Sequence, residues 1–188
     1  MENEKLDIYT VGDMMDSAII HLAENGLGKM ELQKALFLYL LSLSIKKNYD
    51  FNKIVQISGF EPYKYGPFSD FVDGELEELS GTNDLEVSGT GNNTIIKSKP
   101  DKISEYKIDS AEVEIINNIK NLTEKLTLDE LVFYVYFHPS IDKKVKEYFT
   151  SYSEIKDKLI RNKEKYVKAL KKKDIIDDEA ADLILYGS

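Results

Sequence analysis

The sequence predicts a mainly helical α+β fold, in which a winged-helix-like helical core with one small β-hairpin is wrapped by further helices towards the C-terminus. Three observations predict it. Apolar residues recur at spacings of three and four through most of the chain, the period of helices with one buried face. One run rich in glycine and asparagine separates two short β-prone segments, which is typical of a hairpin. The 188 residues are enough to bury a sizeable hydrophobic core without disulfides, which the chain cannot form because it contains no cysteine.

Two helices are predicted in the first quarter of the chain. Thr10 followed by Asp13 resembles a weak capping box, and the apolar residues up to Leu22 lie on one helical face. The second helix begins near Lys29 and runs to about residue 47. It is apolar over most of its girth, so we expect it to be the most buried element. Residues 48–60 then form a short connection, with one strand or helical turn around residues 54–57.

Residues 60–79 constrain the structure more tightly than any other stretch. A Gly66-Pro67 turn lies among the aromatic side chains of Tyr63, Tyr65 and Phe68. Pro67 suits the first position of a helix, because its fixed φ fits and its missing N–H would have had no intrahelical partner. The spacing downstream therefore predicts an amphipathic helix that starts at Pro67. Its apolar stripe comprises Phe68, Phe71, Val72, Leu76 and Leu79.

A β-hairpin is predicted next, because residues 85–87 and 94–97 flank the run Ser-Gly-Thr-Gly-Asn-Asn. A lone hairpin is marginal in water, so we expect it to lean on the helices. Two helices, a short connection, a third helix and a hairpin follow each other in the order of a winged-helix-like unit.

Four more helix signals follow the hairpin. Two are capping boxes, the second of which opens a helix that His138-Pro139 stops. The third is a serine that can cap a long basic helix, and the fourth is an acidic run suited to the start of a last helix. In chain order the residues are Asp109 with Glu112, Thr127 with Glu130, Ser153, and Asp177 to Glu179.

Charge divides the chain unevenly. Residues 141–173 contain 12 basic and 5 acidic side chains, a net +7, whereas the remainder carries −16. We therefore predict a helical domain with the hairpin over 1–140 and a basic helical extension over 141–188, packed on the same unit. Lys156, Lys163 and Lys171 are the candidate basic surface. It could grip a phosphate backbone, an acidic partner protein or the acidic half of a second copy in a homodimer, or it could simply be solvated.

Several functional classes have little support in the sequence. No apolar run approaches the roughly 18 residues of a membrane span, and no signal peptide opens the chain, so we expect a cytoplasmic protein without a membrane partner. The absence of cysteine excludes a thiol nucleophile and cysteine-based metal sites. His21 and His138 are the only histidines, and Gly89-Thr90-Gly91 lacks the lysine of a phosphate loop. We predict no catalytic residues, no metal and no cofactor.

Two short motifs carry a resemblance to a known family. Leu32-Gln33-Lys34 lies in the second predicted helix, and Tyr65-Gly66-Pro67 follows some thirty residues later. The pair resembles the SocA-like antitoxin family, also called Panacea, over roughly residues 10–140. The chain departs from the family's pattern at 35–37 and in its basic C-terminal helix. The resemblance implies a noncatalytic protein-binding domain of a toxin–antitoxin system, found also in phages and other mobile elements, which neutralises its partner by contact or by delivery to a protease.

The two motifs and their surroundings define the predicted partner-binding site. It comprises Gln33, Lys34, Tyr63, Tyr65, Gly66, Pro67, Phe68 and Ser69. The alternative is structural: Gln33 and Lys34 point in two directions from a buried helix, so that one of them can bond carbonyl groups of the turn, and two of the three rings pack the turn onto the central helix. As an alternative function, we consider a nucleic-acid-binding winged-helix regulator that uses the hairpin as its wing. This ranks second, because the hairpin tip over 88–94 carries no basic residue.

Overall fold

The computed structural model describes residues 6–137, 139 and 156–187. Within these ranges it contains nine α-helices and five short strands. The helices are α1 (Ile8–Leu22), α2 (Lys29–Lys47), α3 (Phe51–Ile57), α4 (Asp70–Gly81), α5 (Ser110–Lys125), α6 (Leu128–Phe137), α7 (Lys156–Arg161), α8 (Lys163–Lys172) and α9 (Asp178–Tyr186). The strands are β1 (Leu27–Gly28), β2 (Phe60–Glu61), β3 (Phe68–Ser69), β4 (Leu85–Ser88) and β5 (Ile95–Ser98).

The fold class predicted from the sequence, mainly α with a small antiparallel sheet, is confirmed. The predicted hairpin is β4 and β5, which pair antiparallel with Val87 opposite Ile96. Three two-residue strands were not predicted, namely β1, β2 and β3. Strand β1 adds to the other edge of β5 with Leu27 opposite Ile96. The sheet therefore has the order β1-β5-β4, and β2 with β3 forms a second, two-stranded sheet.

The chain divides into two compact units. Unit 1 comprises Met1–Phe60 and Ser69–Lys120, and unit 2 comprises Glu61–Phe68 and Asn121–Ser188. These bounds differ from the predicted segments 1–140 and 141–188. The eight residues of the Gly-Pro turn belong to unit 2, although both of their chain neighbours belong to unit 1.

Helix α2 is the centre of unit 1, as its apolar girth predicted. Every side chain from Leu32 to Leu41 is buried. The ring of Phe37 packs edge-on against Phe51 at 5.6 Å and against Phe60 at 5.4 Å between centroids. The phenol of Tyr39 is buried and donates to Oε1 of Glu112 at 2.7 Å. Buried polar groups of α2 thus have partners, as burial of such groups requires.

Unit 2 has its own aromatic core. The ring of Phe133 stacks on Phe137 at 4.5 Å and on Tyr166 at 4.9 Å. Apolar side chains of α7, α8 and α9 are buried as well: Leu159, Val167, Leu170, Ala181 and Ile184. Nζ of Lys173 donates to Oε2 of Glu130 at 2.6 Å, which ties the end of α8 to the start of α6.

The helix starts test the predicted caps. Both capping boxes are confirmed: the backbone N–H of Glu112 donates to Asp109 at 2.9 Å, and Glu130 reaches back to the N–H of Thr127 at 2.8 Å. The prediction for α1 is wrong, because Asp7 caps it by accepting from the N–H of Thr10 at 2.9 Å. Asp177 caps α9 through the N–H of Ala180. Ser153 and His138 lie outside the described residues.

The predicted start of the helix after the Gly66-Pro67 turn, which is α4 in the structure, is also wrong. The chain stays extended through β3 after Pro67, and α4 begins only at Asp70. Ser69 is the N-cap, because its hydroxyl accepts from the N–H of Val72 at 3.2 Å. The same hydroxyl donates to the carbonyl oxygen of Ser58 at 2.6 Å. The helix therefore begins after Ser69 and not at Pro67, because these two hydrogen bonds fix Ser69 as the N-cap.

Candidate functional site

Gln33, the middle residue of the first motif, binds backbone groups of Ser69. Its side chain is fully buried on α2 and exchanges two hydrogen bonds with the backbone of Ser69. The Ser69 N–H donates to Oε1, and Nε2 donates to the Ser69 carbonyl, both at 3.0 Å. Nε2 also donates to Oδ1 of Asp73 at 3.1 Å, and Lys29 contacts Oδ2 of Asp73 at 2.7 Å. The first motif is thus joined directly to Ser69 and to α4, inside unit 1.

Lys34, the next residue of the motif, is also fully buried. Burial lowers the pKa of its ammonium to about 7, because the charged form loses hydration. Neither Gln33 nor Lys34 is on the accessible surface. A partner protein would therefore contact neither of these two side chains.

The backbone of the Gly66-Pro67 turn is buried and closed by a hydrogen bond. Gly66 has φ of +96°, a conformation that residues with a Cβ rarely adopt. Its N–H donates to the carbonyl oxygen of Tyr63 at 3.2 Å, which closes the turn. Both Gly66 and Pro67 are buried, so the turn is anchored by its backbone.

Two aromatic side chains project from this anchored turn. Tyr63 is 48% exposed and Tyr65 is 44% exposed, and together they are called the tyrosine pair below. The ring of Phe68 is half-buried and supports Tyr63, with centroids 5.0 Å apart and planes tilted by 35°. Of the predicted site, the side chains that face solvent are therefore the tyrosine pair and part of Phe68.

Helix α7 carries a lysine in the same unit as the tyrosine pair. Lys158 donates to Oδ2 of Asp129 at 2.6 Å, and this bond is the main reason that its pKa is raised. The aromatic surface and the basic helices thus belong to one unit.

The three lysines predicted as a basic surface differ in their surroundings. Lys156 is half-buried at the start of α7. Lys163 donates to the carbonyl oxygen of Leu185 at 3.2 Å, and its ammonium lies 5.6 Å from the centre of the Phe137 ring. Lys171 is exposed but forms an ion pair with Asp178. Two of the three are therefore engaged inside their own unit.

The remaining candidates have structural surroundings. Nε2 of His21 lies 2.8 Å from the carbonyl oxygen of Tyr106. Within residues 6–137, 139 and 156–187, no three His, Cys, Asp or Glu side chains are grouped so that they would hold a metal ion. No helix in the same ranges has the length and apolarity to cross a membrane. The hairpin tip is exposed from Ser88 to Asn93.

Two features of unit 1 had no signal in the sequence. Asp16 of α1 bonds to Glu75 of α4, and burial together with this bond raises the pKa of Asp16 to about 8. Its Oδ1 is buried without a partner among the described residues. The second feature is a groove of about 580 Å³ between α4 and the sheet, with Leu76, Val87 and Ile96 in its lining. The first feature depends on two helices far apart in sequence, and the second on how α4 packs against the hairpin that follows it.

Comparison of the chain with protein-family models, with curated proteins and with solved structures found no match.

Proposed function

We propose that the chain is a noncatalytic protein-binding domain, antitoxin-like or carried by a mobile element, which neutralises or tethers a partner protein by direct contact. The observation that carries this proposal is the tyrosine pair on its anchored turn. Tyrosine is enriched among the few residues that dominate binding energy at protein interfaces. A turn that is already fixed also loses little conformational entropy when a partner binds.

Each predicted site residue has a distinct part in this proposal. Tyr63 and Tyr65 contact the partner, and Phe68 holds the ring of Tyr63 in place. Gly66 and Pro67 are buried and fix the backbone of the turn, whereas Gln33, Lys34 and Ser69 are buried within unit 1 and do not contact the partner. The antitoxin-like role itself is supported by the resemblance of the motif pair to the SocA-like family.

The test uses the products of the reading frames that flank the gene as candidate partners. Each is co-expressed with the affinity-tagged chain, and complex formation is measured by co-purification and by titration of the purified proteins. We expect one product to bind and its toxicity to be suppressed. Y63S/Y65S should weaken binding by about 30-fold or more, since truncation at a hot spot costs at least about 2 kcal/mol.

The matched control is Y9S/Y186S, which removes two tyrosines that are more exposed, at 81% and 80%, from other parts of the surface. We expect this variant to bind like the wild-type chain, and both variants to unfold at unchanged urea concentration. Equal binding by Y63S/Y65S and wild type would contradict the assignment of the surface. Failure of every flanking product to bind would contradict the antitoxin-like role.

A further inference from the structure

We propose that the exposed face of α8 binds the phosphate backbone of nucleic acids without reading their sequence. This face is formed by Lys165, Lys168 and Lys172, called the basic stripe below, all of which are exposed. Their spacing of three and four residues puts one ammonium on each turn of the same side of the helix, over about 10 Å. The opposite side is buried through Tyr166 and Leu170.

The stripe is part of a larger basic segment, and Glu164, one turn before Lys168, is the one acidic side chain of α8. Residues 156–173 contain nine basic and two acidic side chains, a net +7. Four of the lysines have acceptors in unit 2: Lys158 on Asp129, Lys163 on the Leu185 carbonyl, Lys171 on Asp178 and Lys173 on Glu130. Lys165, Lys168 and Lys172 form no ion pair with any described residue, and all three side chains are exposed.

The composition of this face favours phosphate over a protein partner. The exposed side chains of α8 are Glu164, Lys165, Lys168, Lys171 and Lys172, with no apolar anchor between them. Lysine is depleted at protein interfaces, whose core is aromatic or apolar. Lysine does neutralise phosphates along a nucleic-acid backbone and releases their counterions, which gives binding without base contacts.

The lack of arginine indicates that base sequence is not read. Arg161 is the only arginine in the chain, and its Nε donates to the carbonyl oxygen of Asp157. Bidentate recognition of guanine depends mainly on arginine's rigid fork, which lysine does not reproduce. The total charge of −9 does not oppose local binding strongly, because charges are screened beyond about 10 Å at 0.1 M salt. This inference uses other residues than the proposed function and does not depend on it.

The experiment titrates the full chain into fluorescein-labelled oligo(dT) and into a labelled duplex of random sequence, followed by fluorescence anisotropy. We expect micromolar affinity at about 50 mM NaCl and no preference between duplex sequences. For three neutralised phosphates, the logarithm of the association constant should fall with log salt at a slope near −2.7 for the duplex and −2.1 for the single strand, as rough values. K165Q/K168Q/K172Q should weaken binding at least about tenfold and remove most of that slope.

The control variant K53Q/K97Q/K107Q removes three exposed lysines from unit 1 and so changes the net charge equally. It should bind like wild type. The single variant K168Q, which disturbs folding least, should reduce the slope by about one phosphate. Absence of any anisotropy change at about 25 mM NaCl would overturn the proposal. An equal loss in both triple variants would also overturn it, as would displacement of the DNA by poly-L-glutamate at lower concentration than by unlabelled DNA, which indicates an acidic protein partner.

Discussion

A single amide side chain, that of Gln33, satisfies both backbone groups of Ser69 and thereby joins two segments of unit 1. Each such bond contributes about 1 kcal/mol net, but a buried backbone group left without its partner costs about 1–3 kcal/mol. This asymmetry explains why α2 tolerates a fully buried amide side chain in its first half. The sequence shows Gln33 but not its partner, which lies 36 residues away.

Asp16 gives the clearest pH dependence at the level of one residue. The raised pKa, from 3.8 to about 8, means that the folded chain keeps a proton that the unfolded chain loses at lower pH. The groups around the carboxyl are Glu75 and Glu78 on α4, Asp13 on α1 and the phenol of Tyr106. The contribution of Asp16 is fully present below about pH 4 and is lost as pH rises through the folded pKa.

Asp16→Asn therefore should remove this dependence, because the amide has the shape of the neutral acid. We expect the variant to be more stable than wild type at about pH 8, by about 1–2 kcal/mol after allowance for solvent screening of this partly exposed group. At about pH 5 the difference should be smaller. Urea denaturation at both pH values measures it, with exposed Asp101→Asn as control. A variant that is less stable than wild type by the same amount at both pH values would contradict the protonated state of Asp16.

Local signals predicted most of the individual elements. The apolar girth of α2, the hairpin run and the capping boxes at Asp109 and Thr127 depend on residues close in sequence, and all three predictions are confirmed. The errors have tertiary causes. Strand β1 exists because β5 is beside it, and α4 starts at Asp70 because Ser69 is held by Ser58 and Gln33. Propensity at Pro67 could not reveal those contacts.

The candidate site was predictable to a similar degree. The turn at Gly66 and Pro67 was predictable from the sequence, because adjacent glycine and proline residues are typical of a turn. Which rings face solvent was not predictable, since Tyr63, Tyr65 and Phe68 have similar apolar area. In the structure the ring of Phe68 packs against Tyr63, while both tyrosine rings remain about half exposed.

At the level of the turn, Gly66→Ala tests how far the backbone is fixed. With φ at +96°, a Cβ there is strained, and we expect a loss of about 1–2 kcal/mol in stability. Gly74→Ala is the matched control, since Gly74 lies inside α4 and an added Cβ meets no atom within 4 Å. That change should stabilise the chain by about 0.5–1 kcal/mol. Urea denaturation compares the two, and a neutral Gly66→Ala would show that the turn adapts easily.

The whole molecule is electrically divided along its two units. Unit 1 has 20 acidic and 11 basic side chains, whereas unit 2 has 14 of each. The entire net charge of −9 thus belongs to unit 1. Like charges repel one another in a compact state, and salt screens them.

Thermal stability should therefore rise when NaCl is increased from about 10 to about 150 mM, as the screening length falls from about 30 Å to about 8 Å. An increase of about 1 kcal/mol corresponds to about 2–4 °C in a chain of this size. Scanning calorimetry measures the midpoint, and choline chloride at equal ionic strength separates screening from binding of a particular cation. A fall in the midpoint would show that attraction within the ion pairs outweighs repulsion in unit 1.

The membership of unit 2 has a consequence for synthesis on the ribosome. Its first eight residues, Glu61–Phe68, leave the ribosome long before the remainder, which begins at Asn121. At about 5–20 residues per second, translation from Phe68 to the end takes on the order of ten seconds. During that interval a nascent chain lacks the helices that complete the unit around Tyr63 and Tyr65. The Gly-Pro turn therefore acquires the contacts of unit 2 only after the residues from Asn121 onward have emerged, and chains truncated before Asn121 would lack those contacts.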